Sequence, residues 1–218
     1  MNFIKNYKHL LILPAYGFFY LTMFSFLENR TDVQFSMIHL KIDDYIPFCE
    51  YFIVPYFLWF VYIFTTVIFF AVVNKNKAEY YRLIITLGIG MTLFLLISFL
   101  FPNGQDLRPE TFTRENIFID MVRYLYATDT STNIFPSIHV FNSVACCIAL
   151  SICPALKSHK GILYGSFFLT VLIIAATVFL RQHSIVDVFG ALVLNAVCYQ
   201  FIYKSNLAAQ TAKKQFGT

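Results

Sequence analysis

The 218-residue chain is 58% hydrophobic, 19% aromatic and only 13% charged, with a mean hydropathy of +0.65. A soluble domain carries about 25% charged residues, so the composition excludes an ordinary soluble protein and fits one embedded in lipid. The net charge of +4 is spread over short loops without a basic cluster, which argues against nucleic acid as a partner.

Six apolar runs approach the ~20 residues that span a hydrocarbon core: 10–27, 51–73, 83–101, 137–156, 161–180 and 184–203. Lys5 and Lys8 precede the first, in the manner of a signal peptide. The run is too long for a signal core, and Phe24-Ser-Phe-Leu-Glu28 offers no small-residue cleavage site, so it is expected to stay in the mature chain. A long connection, 28–50, leads to the second run, which carries no charge at all. The third and fourth are joined by 102–136. Within that connection Arg114 to Tyr126 is amphipathic, with Ile117, Met121, Val122 and Leu125 on one side, and reads as a helix lying on the membrane surface. Residues 181–183 make a tight turn between the last two runs. Cys49, Cys146, Cys147, Cys153 and Cys198 show no Cys-x-x-Cys and no zinc spacing, so no structural disulfide is expected. The expected fold is all-α: a polytopic membrane protein, one domain over 1–218, built as a six-transmembrane-helix bundle with a short extracytoplasmic interfacial helix.

Charge asymmetry orients this bundle. With the N-terminus inside, the inside segments hold Lys5, Lys8, Lys75, Lys77, Arg82, Lys157, Lys160, Lys204, Lys213 and Lys214. The longer outside segments hold only Arg30, Lys41, Arg108, Arg114, Arg123 and Arg181. That satisfies the positive-inside rule and predicts both termini in the cytoplasm.

In this orientation Arg108, Ser137, His139, Arg181, His183 and Asp187 all reach the extracytoplasmic face, from three separate stretches. Ionisable groups at the edge of lipid are costly unless used or paired. His183 and Asp187 are four apart, on one helical face. A carboxylate on one imidazole nitrogen leaves the other free as base or nucleophile; equally, the pair can simply satisfy itself. His139 follows Ser137 in Phe135-Pro-Ser-Ile-His-Val140, where Pro suits a first helical turn and the starting amides favour an anion. A plain helix start with an interfacial His is the alternative. Arg108 and Arg181 are fork-shaped donors that match phosphate oxygens, or solvated loop charges. Taken together they are equipment for binding a lipid phosphate and transferring it. His9, His39 and His159 look incidental.

Arg108-Pro109, Pro136-Ser-Ile-His139 and His183-x-x-x-Asp187 resemble the three-part signature of the type 2 phosphatidic acid phosphatase superfamily, which also includes sphingolipid phosphotransferases. Asp43-Asp-Tyr-Ile-Pro-Phe48 and Tyr56-x-x-Trp59 resemble bacterial members near the inositol phosphorylceramide synthase group. The resemblance implies His183 as nucleophile through a phosphohistidine, Asp187 as its support, and His139 as the acid for the leaving oxygen. It implies Arg108, Ser137 and Arg181 as phosphate ligands, with no metal and no cofactor. Three positions depart from the signature. Phe101 stands where a Lys opens the first motif, Ile138 replaces Gly, and Ala176-Thr177 replace Ser-Arg. Arg181, four residues after Thr177, is expected one helical turn along the same face as a substitute.

The leading expectation is therefore a lipid phosphate phosphatase acting on a phosphatidic acid-like, phosphatidylglycerol phosphate or polyprenyl diphosphate substrate, in a bacterial cytoplasmic membrane. A phosphotransferase passing a headgroup to a lipid alcohol is the second reading. A transporter or scaffold is the third, disfavoured because its polar groups would run through the bilayer's depth rather than gather at one face. Oligomeric state is not legible.

Overall fold

The computed structural model describes residues 8–204; Lys5, Lys213 and Lys214 of the orientation argument lie outside them. The helices are α1 (Ile12–Glu28), α2 (Lys41–Asp44), α3 (Ile53–Ile68), α4 (Lys77–Leu100), α5 (Ile117–Thr128), α6 (Ile138–Ile152), α7 (Lys160–Phe179) and α8 (Ile185–Cys198). Short 3-10 and π turns extend α3 and α8 into continuous helix over Glu50–Val73 and Ile185–Lys204. Among the described residues those two, with α4 and α7, are the helices long and apolar enough to cross a membrane. α1 and α6 are apolar but shorter, at 17 and 15 residues. Four such helices fit an integral membrane protein.

Helix ends follow capping chemistry more closely than hydropathy. The Asn76 side chain accepts the Ala78 amide, so α4 starts at Lys77, ahead of its apolar run and through three charged residues. α6 stops at Ile152 although apolar residues continue, because Cys153 precedes Pro154 and is pushed to an extended conformation (ψ 116°). Its start also differs from expectation. Ser137 is the N-cap, so Pro136 precedes the cap and does not occupy the first turn.

α6 is the central helix and packs on α3, α4, α7 and α8. Its approach to α4 is close: a Cβ built on Gly90 would lie 2.0 Å from Phe141 Cε1. α5 forms where the amphipathic stretch predicts it, but it buries Ile119, Val122 and Leu125, whereas Ile117 is 69% exposed. That buried face packs with Ile53, Tyr56, Ala176 and Leu180 at one end of the bundle.

The connections 29–52, 101–116 and 129–137 meet at that same end. β1 (Ser36–Met37) pairs in parallel with β2 (Asn103–Gly104), and Gly104 bridges to Thr132. These strands, two residues each, carry no readable alternation. Asn103 then sets the approach to α6. Its side-chain oxygen accepts the amides of Ile134 and Phe135, both at 2.9 Å, and its carbonyl accepts the Asn133 amide at 2.6 Å.

Candidate active site

His183 sits on the turn between α7 and α8, and the turn is fixed from both sides. Ser184 caps α8, accepting the Val186 amide at 3.2 Å. Asp187 reaches back to accept the Ser184 amide at 2.9 Å, closing a capping box. The same carboxylate oxygen meets His183 Nδ1 at 3.3 Å, in a pair that is 8% and 0% exposed. The His183 amide donates to the Thr177 carbonyl at 3.0 Å. With Nδ1 held by the carboxylate, Nε2 is the nitrogen left for chemistry. The polar groups that end α7 and begin α8 thus also aim the imidazole.

His139, in the first turn of α6, faces His183 with ring centroids 5.9 Å apart. Tyr56 and Trp59 of α3 pack against its ring at 4.6 and 4.4 Å, fixing its plane. The Ser137 hydroxyl is fully buried and accepts the Val140 amide at 3.4 Å as the cap of α6. Its backbone amide donates to the Asp187 carbonyl at 3.2 Å, so the starts of α6 and α8 are bonded to one another. His139 and His183 line one cavity of about 50 Å³ with Asp129, Thr130, Thr132, Asn133 and Gln182; Phe24, Phe94, Ile134 and Ile138 form its apolar wall.

Arg108 reaches the rim of this cavity. Its guanidinium lies 4.5 Å over the Tyr126 ring and donates to the Thr130 carbonyl at 2.9 Å and to Gln182 Oε1 at 2.6 Å. Burial pulls its pKa down, opposed by the nearby Asp129 carboxylate. Asp129 accepts the Tyr56 hydroxyl at 3.1 Å. Burial pushes the Asp129 carboxyl up, against the opposing pull of Arg108, of His183 and of the Tyr56 hydrogen bond. Asp129 and Gln182 were not among the residues singled out from sequence. Both adjoin the motifs, Gln182 beside His183 and Asp129 at the head of the polar run Asp-Thr-Ser-Thr-Asn before Phe135-Pro136, and adjacency was the available signal.

Arg181 departs from expectation. α7 ends at Phe179, and Arg181 has φ +53°, so it does not continue the face that carries Thr177. Its guanidinium donates to the Asp43 carbonyl at 2.8 Å and to the Ile46 carbonyl. Thr177 is fully buried and bonded to Ile174. The structure therefore gathers Arg108, Ser137, His139, His183 and Asp187, and directs Arg181 to the connection between α1 and α3. Asp43 completes that joint: its carboxylate accepts the Ser184 hydroxyl at 2.7 Å and the amides of Ile185 (3.0 Å) and Leu40 (2.8 Å). His39, dismissed from sequence, lies between Asp44 (2.7 Å) and Asp106 (3.3 Å) and links two connections. Phe101, in the place of the usual Lys, is 71% exposed.

A histidine held by a carboxylate, a second histidine across a small cavity, and an arginine bonded to two residues of the cavity wall are groups whose chemistry suits phosphoryl transfer. The family model of the PAP2 superfamily matches residues 82–210. The chain belongs to the PAP2 superfamily. No curated protein and no solved structure matches it. The PAP2 match includes Arg108, Ser137, His139, Arg181, His183 and Asp187, and membership brings a phosphatase- or phosphotransferase-type function in a membrane. Asp43, Tyr56 and Trp59, which hold the turn and the His139 ring, lie outside the segment that the PAP2 model matches.

Proposed function

We propose that the protein is a lipid phosphate phosphatase of six membrane helices in a single domain, with both termini cytoplasmic and the cavity extracytoplasmic. The observation that carries the reading is His183, held at Nδ1 by Asp187, facing His139 across one cavity with Arg108 at its rim. The His183 Nε2 lone pair attacks phosphorus; the bond to the lipid oxygen breaks, and His139 gives that oxygen a proton. Water, deprotonated by His139, then attacks the phosphohistidine. The phosphorus–nitrogen bond breaks, the electron pair returns to Nε2, and inorganic phosphate leaves. Arg108 and the amides that start α6 counter the charge that develops on the phosphate oxygens. Short apolar helices at α1 and α6 can still cross where the bilayer thins locally.

The test is phosphate release from phosphatidic acid, phosphatidylglycerol phosphate or a polyprenyl diphosphate, by protein purified in detergent with EDTA present. His183→Ala and His139→Ala are expected to lower kcat by about 10³-fold or more. Full activity in either variant, or loss of activity with EDTA, would contradict the scheme.

One observation favours transfer of a diester headgroup as the second reading. A phosphate monoester carries about −1.5 to −2 charges at pH 7, and this cavity offers it a carboxyl, Asp129, while Phe101 supplies no cation. A singly charged diester meets less repulsion. Asp129→Asn is then expected to raise monoester hydrolysis relative to diester transfer. An unchanged ratio would remove this reading's support.

A further inference from the structure

A phosphate in the cavity beside His139 and His183 needs donors, and most of those on the wall are already committed. Among the described residues no lysine or arginine lines the cavity. The Thr130 hydroxyl donates to Glu28 and shares a hydrogen bond with Thr132 at 2.8 Å, and the Asn133 amide nitrogen donates to Glu28 at 2.6 Å. Arg108 stands behind the wall. It commits Nη1 to the Tyr126 carbonyl at 3.2 Å, and Nη2 to the Thr130 carbonyl at 2.9 Å and to Gln182 Oε1 at 2.6 Å.

Gln182 is the exception. It lines the cavity and is 3% exposed. A guanidinium only donates, so the amide must face Arg108 with its oxygen. That leaves Nε2, with two N–H groups, buried and without a partner among the described residues. Asn133 Oδ1, on the same wall, also lacks a partner, so the two amides are not bonded to one another. A buried donor left unpaired is costly, and beside a cavity it calls for an acceptor. The backbone amides of Gln182 and His183 both donate to the Thr177 carbonyl at 3.0 Å, so one turn presents this donor and the nucleophilic imidazole together.

We propose that Gln182 is a phosphate ligand: Nε2 donates to a non-bridging oxygen while Oε1 accepts from Arg108, so that the arginine's charge reaches the phosphate through a polarised amide. The proposal rests on the phosphatase reading for the phosphate's presence. Hydrogen bonds in such a chain strengthen one another. The amide thereby serves where Phe101 brings no cation and Arg181 is turned to the Asp43 and Ile46 carbonyls.

The test is a ³¹P NMR titration of inorganic phosphate against the detergent-purified protein, with kcat/KM for phosphatidic acid measured in parallel. Gln182→Met keeps the side chain's length and removes the donor; it is expected to weaken phosphate binding about tenfold. A residue that merely braces Arg108 would matter only while Arg108 is present. In the Arg108→Met background, therefore, Gln182→Met is still expected to weaken binding by about threefold or more. Unchanged affinity in Gln182→Met, a loss that vanishes in the Arg108→Met background, or no phosphate binding by the wild type would each overturn the proposal. Should melting in detergent show that Gln182→Met does not fold, Gln182→Glu keeps the acceptor for Arg108 and turns an oxygen to the phosphate. Its affinity is expected to fall about a hundredfold, and wild-type affinity there would overturn the proposal equally. Phosphate binding that depends on Gln182, without turnover of any lipid phosphate, would leave the ligand standing and remove the phosphatase reading. Turnover at the wild-type kcat/KM in Gln182→Met, with unchanged phosphate affinity, would do the reverse.

Discussion

At the scale of single residues, the account turns on how His183 is held. Asp187 fixes its ring, but Asp43 fixes the turn that carries it, through the Ser184 hydroxyl and the Ile185 amide. Asp43→Asn keeps the shape and loses the charge-assisted acceptor, worth about 1.5–3 kcal/mol for hydrogen bonds to a charged group. It is expected to lower kcat while KM for a lipid phosphate changes little, because the cavity's phosphate contacts remain; a parallel rise in KM would instead place Asp43 in binding. Asp129 behaves differently. Its folded-state pKa is raised by burial, so the native protein holds a proton on it more readily than the unfolded chain. Ionising it therefore costs stability as pH rises from the ordinary Asp value near 3.9 through the raised one. Asp129→Asn is expected to melt higher than wild type at pH 7 and to lose that advantage near pH 4. Thermal unfolding in detergent at the two pH values decides it, and an equal offset at both would show that ionisation is not the cause. His183, Asp187 and His139 were legible in sequence because motif spacing carries them. Asp43 was legible only as part of a resemblance, since its role depends on a contact 141 residues away along the chain.

At the scale of elements, the bundle is set by two kinds of glycine on α4. Gly90 allows α6 to approach, and a Cβ there would collide with the Phe141 ring. Gly88, two residues earlier, faces open groove. Gly90→Ala is expected to destabilise by about 1–3 kcal/mol, as overpacking does. Gly88→Ala is expected to be neutral or to stabilise by up to about 1 kcal/mol through helix propensity. Detergent melting temperatures check both, and equal effects would contradict the packing of α4 on α6. The six apolar runs all became helices, because hydropathy over a dozen or more residues is a strong signal. Their ends were less legible. Asn76 and Pro154 move the boundaries by local chemistry that hydropathy does not weigh. The exchange of Ile117 for Ile119 on the buried face of α5 has a similar origin, since the face is chosen by what α3 and α7 offer.

At the scale of the whole molecule, connections from both halves of the chain close over one end of the bundle, where the histidine pair and Arg108 come together. Convergence on one end was readable from the alternation of runs and the charges between them. The use of Arg181 was not: a guanidinium donates to phosphate and to backbone carbonyls alike, and only the fold shows that the carbonyls of Asp43 and Ile46 reach it. The central claim is that His183 forms a covalent bond to phosphorus. Rapid mixing of the purified protein with [³²P]phosphatidic acid, followed by denaturing quench and peptide mapping, tests it directly. The account predicts a label stable to base and labile to acid, carried on the peptide containing His183 and absent from His183→Ala. Turnover with no such label under conditions that capture the burst, or a label that persists in His183→Ala, would contradict it.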